Sequence, residues 1–115
     1  KVGGFEIGAL CGVILASAYR KVPVVVDGFI SGAAALLAYK IEPKVKDYMI
    51  ASHNSVENGH GVILSFMGLS PLLDLNLRLG EGTGAALAIV FVEAAVKVLE
   101  QMATFQSANV SQNLQ

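Results

Sequence analysis

The segment Val22-Pro-Val-Val-Val-Asp-Gly-Phe29 indicates the class of fold. Its β-branched run predicts a strand at Val22–Val26 that is covered on both faces, as strands of a parallel sheet are. Pro23 has no backbone N–H to donate and therefore fits only near the start of this strand. The loop Asp27-Gly28-Phe29 follows, and the alanine-rich residues 31–40 are predicted to form a helix.

The order strand, loop and helix occurs twice more along the chain. Short apolar runs predict two further strands, and apolar residues at helical spacing predict the helices. Alternation of this kind is typical of a parallel sheet with helices on its faces. The predicted elements are a first helix at Phe5–Lys21, a strand at Tyr48–Ala51, a helix at Val56–Met67, a strand at Leu72–Leu77 and a helix at Thr83–Met102.

Two helix faces are expected to pack closely against the rest of the molecule. The first helix carries small residues spaced four apart, which let another backbone approach closely. The last helix carries an apolar face that is predicted to be buried. The small stripe is Gly4, Gly8, Gly12 and Ala16, and the apolar face is Ala88, Val92, Ala95, Val96, Leu99 and Met102.

The three loops that follow the predicted strands are expected to converge. The carboxyl ends of parallel strands lie along one edge of a sheet, and that edge is where open α/β sheets bind ligands. The loops are Asp27-Gly28-Phe29, His53-Asn54-Ser55 and Gly80-Glu81-Gly82.

Composition excludes several classes of protein. The chain is 54% hydrophobic and 15% charged, against about 25% charged in an average soluble domain. Its apolar runs are nevertheless shorter than the roughly 20 residues of a membrane-spanning helix. With a net charge of −1 and no basic cluster beyond Lys40–Lys46, nucleic-acid binding is not expected. The single cysteine, Cys11, is predicted to be a buried thiol, and the cytoplasm is the expected compartment.

The sharpest chemical feature is Leu79-Gly-Glu-Gly-Thr-Gly84, at a predicted strand-to-helix turn. Its glycines allow positive φ and close approach of a ligand to the backbone. The positive end of the following helix favours an ionised Glu81, which suits a base. A turn in which Glu81 merely caps the helix is the alternative. The motif lacks the Gly-Lys-Ser/Thr ending of a phosphate-binding P-loop.

Other polar residues are given structural roles. His53, Glu57 and His60 have helical spacing, but the helix is expected to begin after His53, so neither a metal ion nor a cofactor is predicted. Ser55 is the candidate N-cap of that helix. For Asp27, a carboxylate bonded to loop N–H groups and a contact with a ligand both remain open.

Four segments occur in order over about residues 1–105. They are Gly3-Gly-Phe-Glu-Ile7, Pro23-Val-Val-Val-Asp-Gly-Phe29, the stretch Ser52-His53…Ser55…Glu57…Gly59-His60, and Leu73-Asp-Leu…Arg78-Leu-Gly-Glu-Gly-Thr-Gly-Ala85. Together they resemble the nicotinate-nucleotide–dimethylbenzimidazole phosphoribosyltransferases. Four motifs in register are far more specific than any one of them.

The resemblance implies part of a doubly wound, mainly parallel α/β sheet with helices on both faces. Residues 1–105 would be the C-terminal part of a large, incomplete α/β domain, and 106–115 a polar tail. The implied enzyme is a homodimer that uses no metal. It transfers the phosphoribosyl group of nicotinate mononucleotide to 5,6-dimethylbenzimidazole, giving nicotinate and α-ribazole 5′-phosphate for the lower ligand of cobalamin.

The resemblance also implies site residues. Glu81 matches the family's catalytic base, while Gly28, Ser55 and Leu79 match positions near the bound nucleotide. Gly80 and Gly82 flank the base and are expected to contact substrate. The remaining walls of the site would lie outside this chain, which alone is expected to be inactive.

A second hypothesis belongs to a different class. The chain could be a non-catalytic α/β half-domain that binds a nucleotide or associates with another chain. Stable folding without turnover of the two substrates would distinguish it from the enzyme.

Overall fold

The structure, a computed structural model, describes residues 3–108 and confirms a mixture of helices and parallel strands. The predicted polar tail lies outside the described residues from 109 onward. The elements are α1 (Phe5–Tyr19), β1 (Val24–Val26), α2 (Phe29–Ile41), a 3-10 helix (Pro43–Tyr48), β2 (Met49–Ala51), α3 (Asn58–Met67) and α4 (Thr83–Gln101).

The sheet is formed by β1 and β2, which pair in parallel with Val24 opposite Met49. Val26 at the end of β1 is 2% exposed, as the β-branched run predicts. Beyond the paired residues, the Ser52 N–H donates to the Val26 carbonyl at 2.9 Å. The chain between the two strands forms α2, so the expected strand–helix–strand crossover is confirmed.

The predicted third strand, Leu72–Leu77, is wrong. This segment runs beside β2, where a single parallel bridge links Leu73 to His53 and the Asn54 N–H donates to the Leu73 carbonyl at 2.8 Å. Asn76 has a φ of +53°, in the left-handed region, and an extended run cannot continue through such a residue. The segment therefore follows the sheet edge without becoming a regular strand.

Helices α1 and α2 enclose most of the core. Cys11 and Ile14 of α1 are buried, as predicted for the thiol, and α2 contributes three fully buried alanines, Ala34, Ala35 and Ala38. Small residues on α2 let the two helices approach closely. The small stripe of α1 lies elsewhere: a Cβ added at Gly8 or Gly12 would meet nothing within 4 Å. The expected close packing along that stripe is therefore wrong for residues 3–108.

The sequence predicts the end of α3 correctly but not its start. Gly68 ends the helix at a φ of +64°, and its N–H donates to the Leu64 and Ser65 carbonyls, as predicted for a glycine stop. The start differs, because the N-cap is Glu57 and not Ser55. The Ser55 hydroxyl instead accepts from the Glu57 N–H at 3.3 Å, one turn before the helix begins.

Helix α4 leaves the body of the molecule. Of its predicted buried face, Ala88 is buried and Val92 half-buried, whereas Ala95, Val96, Leu99 and Met102 are exposed. The prediction of a continuous buried face is thus wrong beyond Val92, because the later turns of α4 are not covered by other elements among residues 3–108. No helix within residues 3–108 has the length and apolar character required to cross a membrane.

The position of α3 against the core predicts that two of its apolar residues contribute very differently to the free energy of unfolding. Leu64 is 2% exposed and Val62 is 70% exposed. Leu64→Ala is expected to lower the free energy of unfolding by about 2–5 kcal/mol, because it leaves a cavity. Val62→Ala is expected to change it by less than about 0.5 kcal/mol. Urea unfolding of both variants measures the difference, and equal effects would contradict the assigned packing.

Candidate functional site

A cavity of about 520 Å³ opens where the three predicted loops meet. The expected convergence of these loops is therefore confirmed. Five of the residues predicted to form the site line this cavity: Gly28, Ser55, Gly80, Glu81 and Gly82. The sixth, Leu79, is 71% exposed and lies outside the lining.

The cavity also contains residues beyond those six. Asp27, Phe29 and His53 belong to the predicted loops themselves, and most of the others lie close to one in sequence. Leu10 comes from α1, and no local signal connects it with the three loops. The additional lining residues are Leu10, Asp27, Phe29, Ile30, Ser31, His53, Glu57, Leu77 and Arg78.

The turn that carries Glu81 has three consecutive residues in the left-handed region. The φ angles are +76° at Gly80, +55° at Glu81 and +77° at Gly82. The turn closes through the Thr83 N–H, which donates to the Gly80 carbonyl at 3.0 Å. Glycine adopts such angles freely, whereas a side chain there costs on the order of 1 kcal/mol. Backbone strain held at a cavity edge is a common property of functional sites.

Asp27 connects the end of β1 to the start of α4. Its carboxylate accepts a hydrogen bond from the Ala85 N–H at 2.9 Å. Ala85 lies in the first turn of α4, where backbone N–H groups have no partner within the helix and a negative charge is stabilised by the helix dipole. Of the two roles left open for Asp27, bonding to loop N–H groups is corrected, because the observed donor lies in helix α4. Contact of Asp27 with a ligand stays a prediction.

His53 lies beside Asp27 and is 3% exposed. Its Nδ1 is 2.8 Å from the Ser52 hydroxyl and 3.8 Å from the Asp27 carboxylate. The Ser52 hydroxyl donates to the Asp27 main-chain carbonyl at 3.2 Å. With its proton used there, this hydroxyl accepts a hydrogen bond from His53 Nδ1–H.

Gly84 serves a purpose different from that of the other glycines in its motif. It is buried in α4 with helical geometry, so no positive φ requires a glycine. A Cβ at this position would overlap the imidazole of His53, lying 2.5 Å from its Cε1 atom. The ring of His53 thus packs directly on the backbone at the start of α4.

His60, on α3, is fully buried. Its Nδ1 accepts a hydrogen bond from the Ser55 N–H at 3.2 Å, so the ring proton of the neutral form is on Nε2. Nε2 has no partner among the described residues. Burial lowers the pKa of His60 below its ordinary value of 6.5, the nearby His53 lowers it further, and Asp27 opposes the shift.

The two histidines are close neighbours, with ring centroids 5.9 Å apart. Within residues 3–108, no group of three or more histidine, cysteine, aspartate or glutamate side chains has an arrangement that could hold a metal ion. Glu57, the remaining member of the spacing noted in the sequence, is exposed at the cavity rim.

The cavity combines groups suited to an anion with one suited to accepting a proton. Gly28 is the N-cap of α2 and offers no side-chain cap, so the first N–H groups of α2 remain available beside the cavity. Such a helix end attracts phosphates and carboxylates. Glu81 lies on the opposite loop as an exposed carboxylate.

Comparison with known proteins identifies similar chains. A family model described as phosphoribosyltransferase matches residues 1–110. The nicotinate-nucleotide–dimethylbenzimidazole phosphoribosyltransferase of Desulforudis audaxviator is 62% identical over 97% of this chain. The protein of the same name from Chloroflexus aurantiacus is 60% identical over 99% of it. The chain spans 32% of the length of each of these relatives.

A solved structure shows the same fold. The crystal structure of nicotinate-nucleotide–dimethylbenzimidazole phosphoribosyltransferase from Thermus thermophilus superposes with a TM-score of 0.90 at 49% sequence identity. The match covers 97% of this chain and 34% of that structure.

The close packing at Gly84 predicts that an alanine there destabilises the protein, whereas an alanine at Gly61, a second helical glycine, stabilises it. Gly84→Ala is expected to lower the free energy of unfolding by about 1–3 kcal/mol, because the methyl group displaces the His53 ring. In Gly61→Ala the methyl group meets only Asn54 Oδ1 at 3.9 Å, so helix propensity should stabilise the protein by about 0.5–1 kcal/mol. Thermal unfolding distinguishes the two, and a stabilising Gly84→Ala would contradict the packing.

The buried His60 predicts that stability decreases in mild acid. Its pKa is lower in the folded state than the ordinary value of 6.5, so the unfolded chain binds the proton more readily. The corresponding stability is present above about pH 6.5 and is lost as the pH falls below it. Urea unfolding at about pH 7.5 and 5.5 should show a smaller decrease for His60→Gln than for the unaltered protein. Equal decreases would show that His60 is not responsible.

Proposed function

The chain belongs to the phosphoribosyltransferase family of the nicotinate-nucleotide–dimethylbenzimidazole type, and on that premise we propose that it is part of an enzyme with this activity. The enzyme transfers the phosphoribosyl group of nicotinate mononucleotide to 5,6-dimethylbenzimidazole. The products are nicotinate and α-ribazole 5′-phosphate. The observation that carries the proposal is Glu81, held in a left-handed turn at the edge of a cavity large enough for a small ligand.

Glu81 is proposed as the general base. One ring nitrogen of the benzimidazole attacks the anomeric carbon of the ribose, and the bond from that carbon to nicotinate breaks. The bonding electrons pass to the nicotinate ring nitrogen, which becomes neutral. The other benzimidazole nitrogen carries a proton that becomes acidic as positive charge develops, and the Glu81 carboxylate accepts it. General-base catalysis of this kind contributes about 10²–10⁴ in rate.

The nucleotide is proposed to lie between the loops of β1 and β2. The unpaired N–H groups at the start of α2, next to Gly28, suit its phosphate. Ser55 also lines this cavity and carries a hydroxyl, and Arg78 adds a positive charge. Gly80 and Gly82 leave the backbone accessible next to Glu81. Leu79 is retained as a substrate contact on the basis of its motif alone.

The larger assembly is also part of the proposal. Residues 1–105 are the C-terminal part of a large α/β domain, in which β1 and β2 continue into a doubly wound sheet with helices on both faces. The proposal of a larger domain rests on the length of the matched relatives, which are about three times as long as this chain. We propose a cytoplasmic homodimer that supplies the lower ligand of cobalamin, acting on small molecules without a metal ion or other cofactor.

One observation favours the second candidate function, a non-catalytic half-domain that associates with another polypeptide. The distal part of α4 exposes apolar side chains, including Leu99 at 86% and Met102 at 70%. An exposed apolar surface of this kind is typical of an interface. Release of nicotinate by the protein in the presence of both substrates distinguishes the enzyme from the half-domain.

Replacement of the proposed base gives the decisive test. In the full-length protein, Glu81→Gln is expected to lower the rate of α-ribazole 5′-phosphate formation by about 10²–10⁴-fold, since an amide cannot accept the proton. Binding of nicotinate mononucleotide, measured by calorimetry, should remain within about threefold, because the amide keeps the size of the side chain.

A matched control is available on the same helix-and-turn unit. Glu93 lies exposed in α4 and does not line the cavity, so Glu93→Gln is expected to leave the rate within about twofold. Near-normal turnover by Glu81→Gln would refute the role of Glu81. An equal loss in both variants would indicate a general electrostatic or folding effect.

A further inference from the structure

His53 is a buried polar residue that the proposed reaction does not use. It lines the cavity yet is 3% exposed, and burying an imidazole is costly unless its polar atoms are bonded. Its surroundings differ from those of His60, which does not line the cavity and whose Nε2 has no partner among the described residues.

The Nδ1 side of the ring holds the end of β1. Nδ1 lies 2.8 Å from the Ser52 hydroxyl, and that hydroxyl donates to the Asp27 main-chain carbonyl at 3.2 Å. The Asp27 carboxylate in turn lies 3.8 Å from Nδ1. His53 therefore restrains the backbone of Asp27 through the Ser52 hydroxyl, and its ring lies beside the Asp27 carboxylate.

The ring also holds the start of α4. Gly84 packs so closely on the imidazole that no Cβ fits between them. The next residue, Ala85, donates its N–H to the Asp27 carboxylate at 2.9 Å. Glu81 lies three residues before Gly84, in the turn that leads into α4.

We infer that His53 is a positioning residue for Glu81: it holds Asp27 and the start of α4 together and thereby sets the place of the catalytic carboxylate. This inference rests on the proposed function. A displacement of about 1 Å at a reacting group can cost about 10²-fold in rate. A direct contact between His53 Nε2 and a substrate is the competing explanation, and two amide variants distinguish the two roles.

The amide variants differ by one methylene group. The side-chain amide in His53→Asn would place its N–H where Nδ1–H is, whereas the longer side chain in His53→Gln would place it near the position of Nε2. The substitutions His53→Asn, His53→Gln and His53→Phe are made in the full-length enzyme, and kcat and KM for both substrates are measured together with Tm.

His53→Phe keeps a ring against Gly84 but removes the hydrogen bond to Ser52. It is expected to lower kcat by about 10- to 100-fold while KM changes by less than about threefold. The kcat of His53→Asn should be about tenfold higher than that of His53→Phe, whereas the kcat of His53→Gln should be similar to that of His53→Phe. If His53→Phe does not fold, the comparison of the two amides decides the question.

Whether the effect of the His53 substitution on the rate depends on Glu81 is tested by combining the two substitutions. In the Glu81→Gln background, His53→Phe is expected to lower the residual single-turnover rate by less than about threefold, because the group that it positions is already absent. A purely structural role would give the same loss in both backgrounds and would overturn the inference. Rescue by His53→Gln instead of His53→Asn would assign a direct substrate contact and would also overturn it.

Failure of the inference and failure of the proposed function give different results. If the unaltered enzyme releases nicotinate and His53→Phe does so at the same kcat, the inference alone is wrong. If the unaltered enzyme shows no transfer with both substrates, the proposed function is wrong and the inference is overturned with it.

Discussion

The Asp27 carboxylate accepts a hydrogen bond from the Ala85 N–H and so joins two segments that are 58 residues apart. Helix α4 has few other attachments, since only Gly84 and Ala88 along its 19 residues are buried. The bond satisfies a backbone donor that no helical carbonyl can reach and places a negative charge at the positive end of the helix. The orientation of α4, and with it the cavity wall formed by residues 80–82, depends on this contact.

The turn before α4 combines the hydrogen bond between Asp27 and Ala85 with local backbone strain. Glu81 is held at a positive φ between two glycines that share the same conformation, and this arrangement persists because Gly84 and Ala85 are fixed on the other side. His53 completes the anchor through its packing on Gly84 and its link to Asp27 through Ser52. In the proposed reaction the base must keep its position while a substrate enters, and the contacts of Gly84 and Ala85 fix the helix that follows Glu81.

The exposed apolar residues follow from the same architecture. Beyond Val92, α4 extends away from β1 and has no covering layer among residues 3–108. The solved relative that superposes at a TM-score of 0.90 is about three times longer than this chain. Many of the apolar side chains that raise the hydrophobic fraction of the sequence are exposed, largely on α4 and on the outer faces of α1 and α2.

Much of this protein was determined locally and could be predicted from its sequence. Three features depend only on residues within a few positions, so the sequence predicts them. They are the β-branched run before Asp27, the glycine stop at Gly68 and the left-handed glycines around Glu81. The first two predicted loops meet because parallel strands share an edge, and the third reaches them because its segment runs beside β2. Only the tertiary structure decided the rest. It assigned Gly84 to the packing of His53 and Asp27 to the start of α4, left Leu72–Leu77 without a regular strand and exposed most of α4. These outcomes depend on contacts between distant segments, which no local pattern specifies.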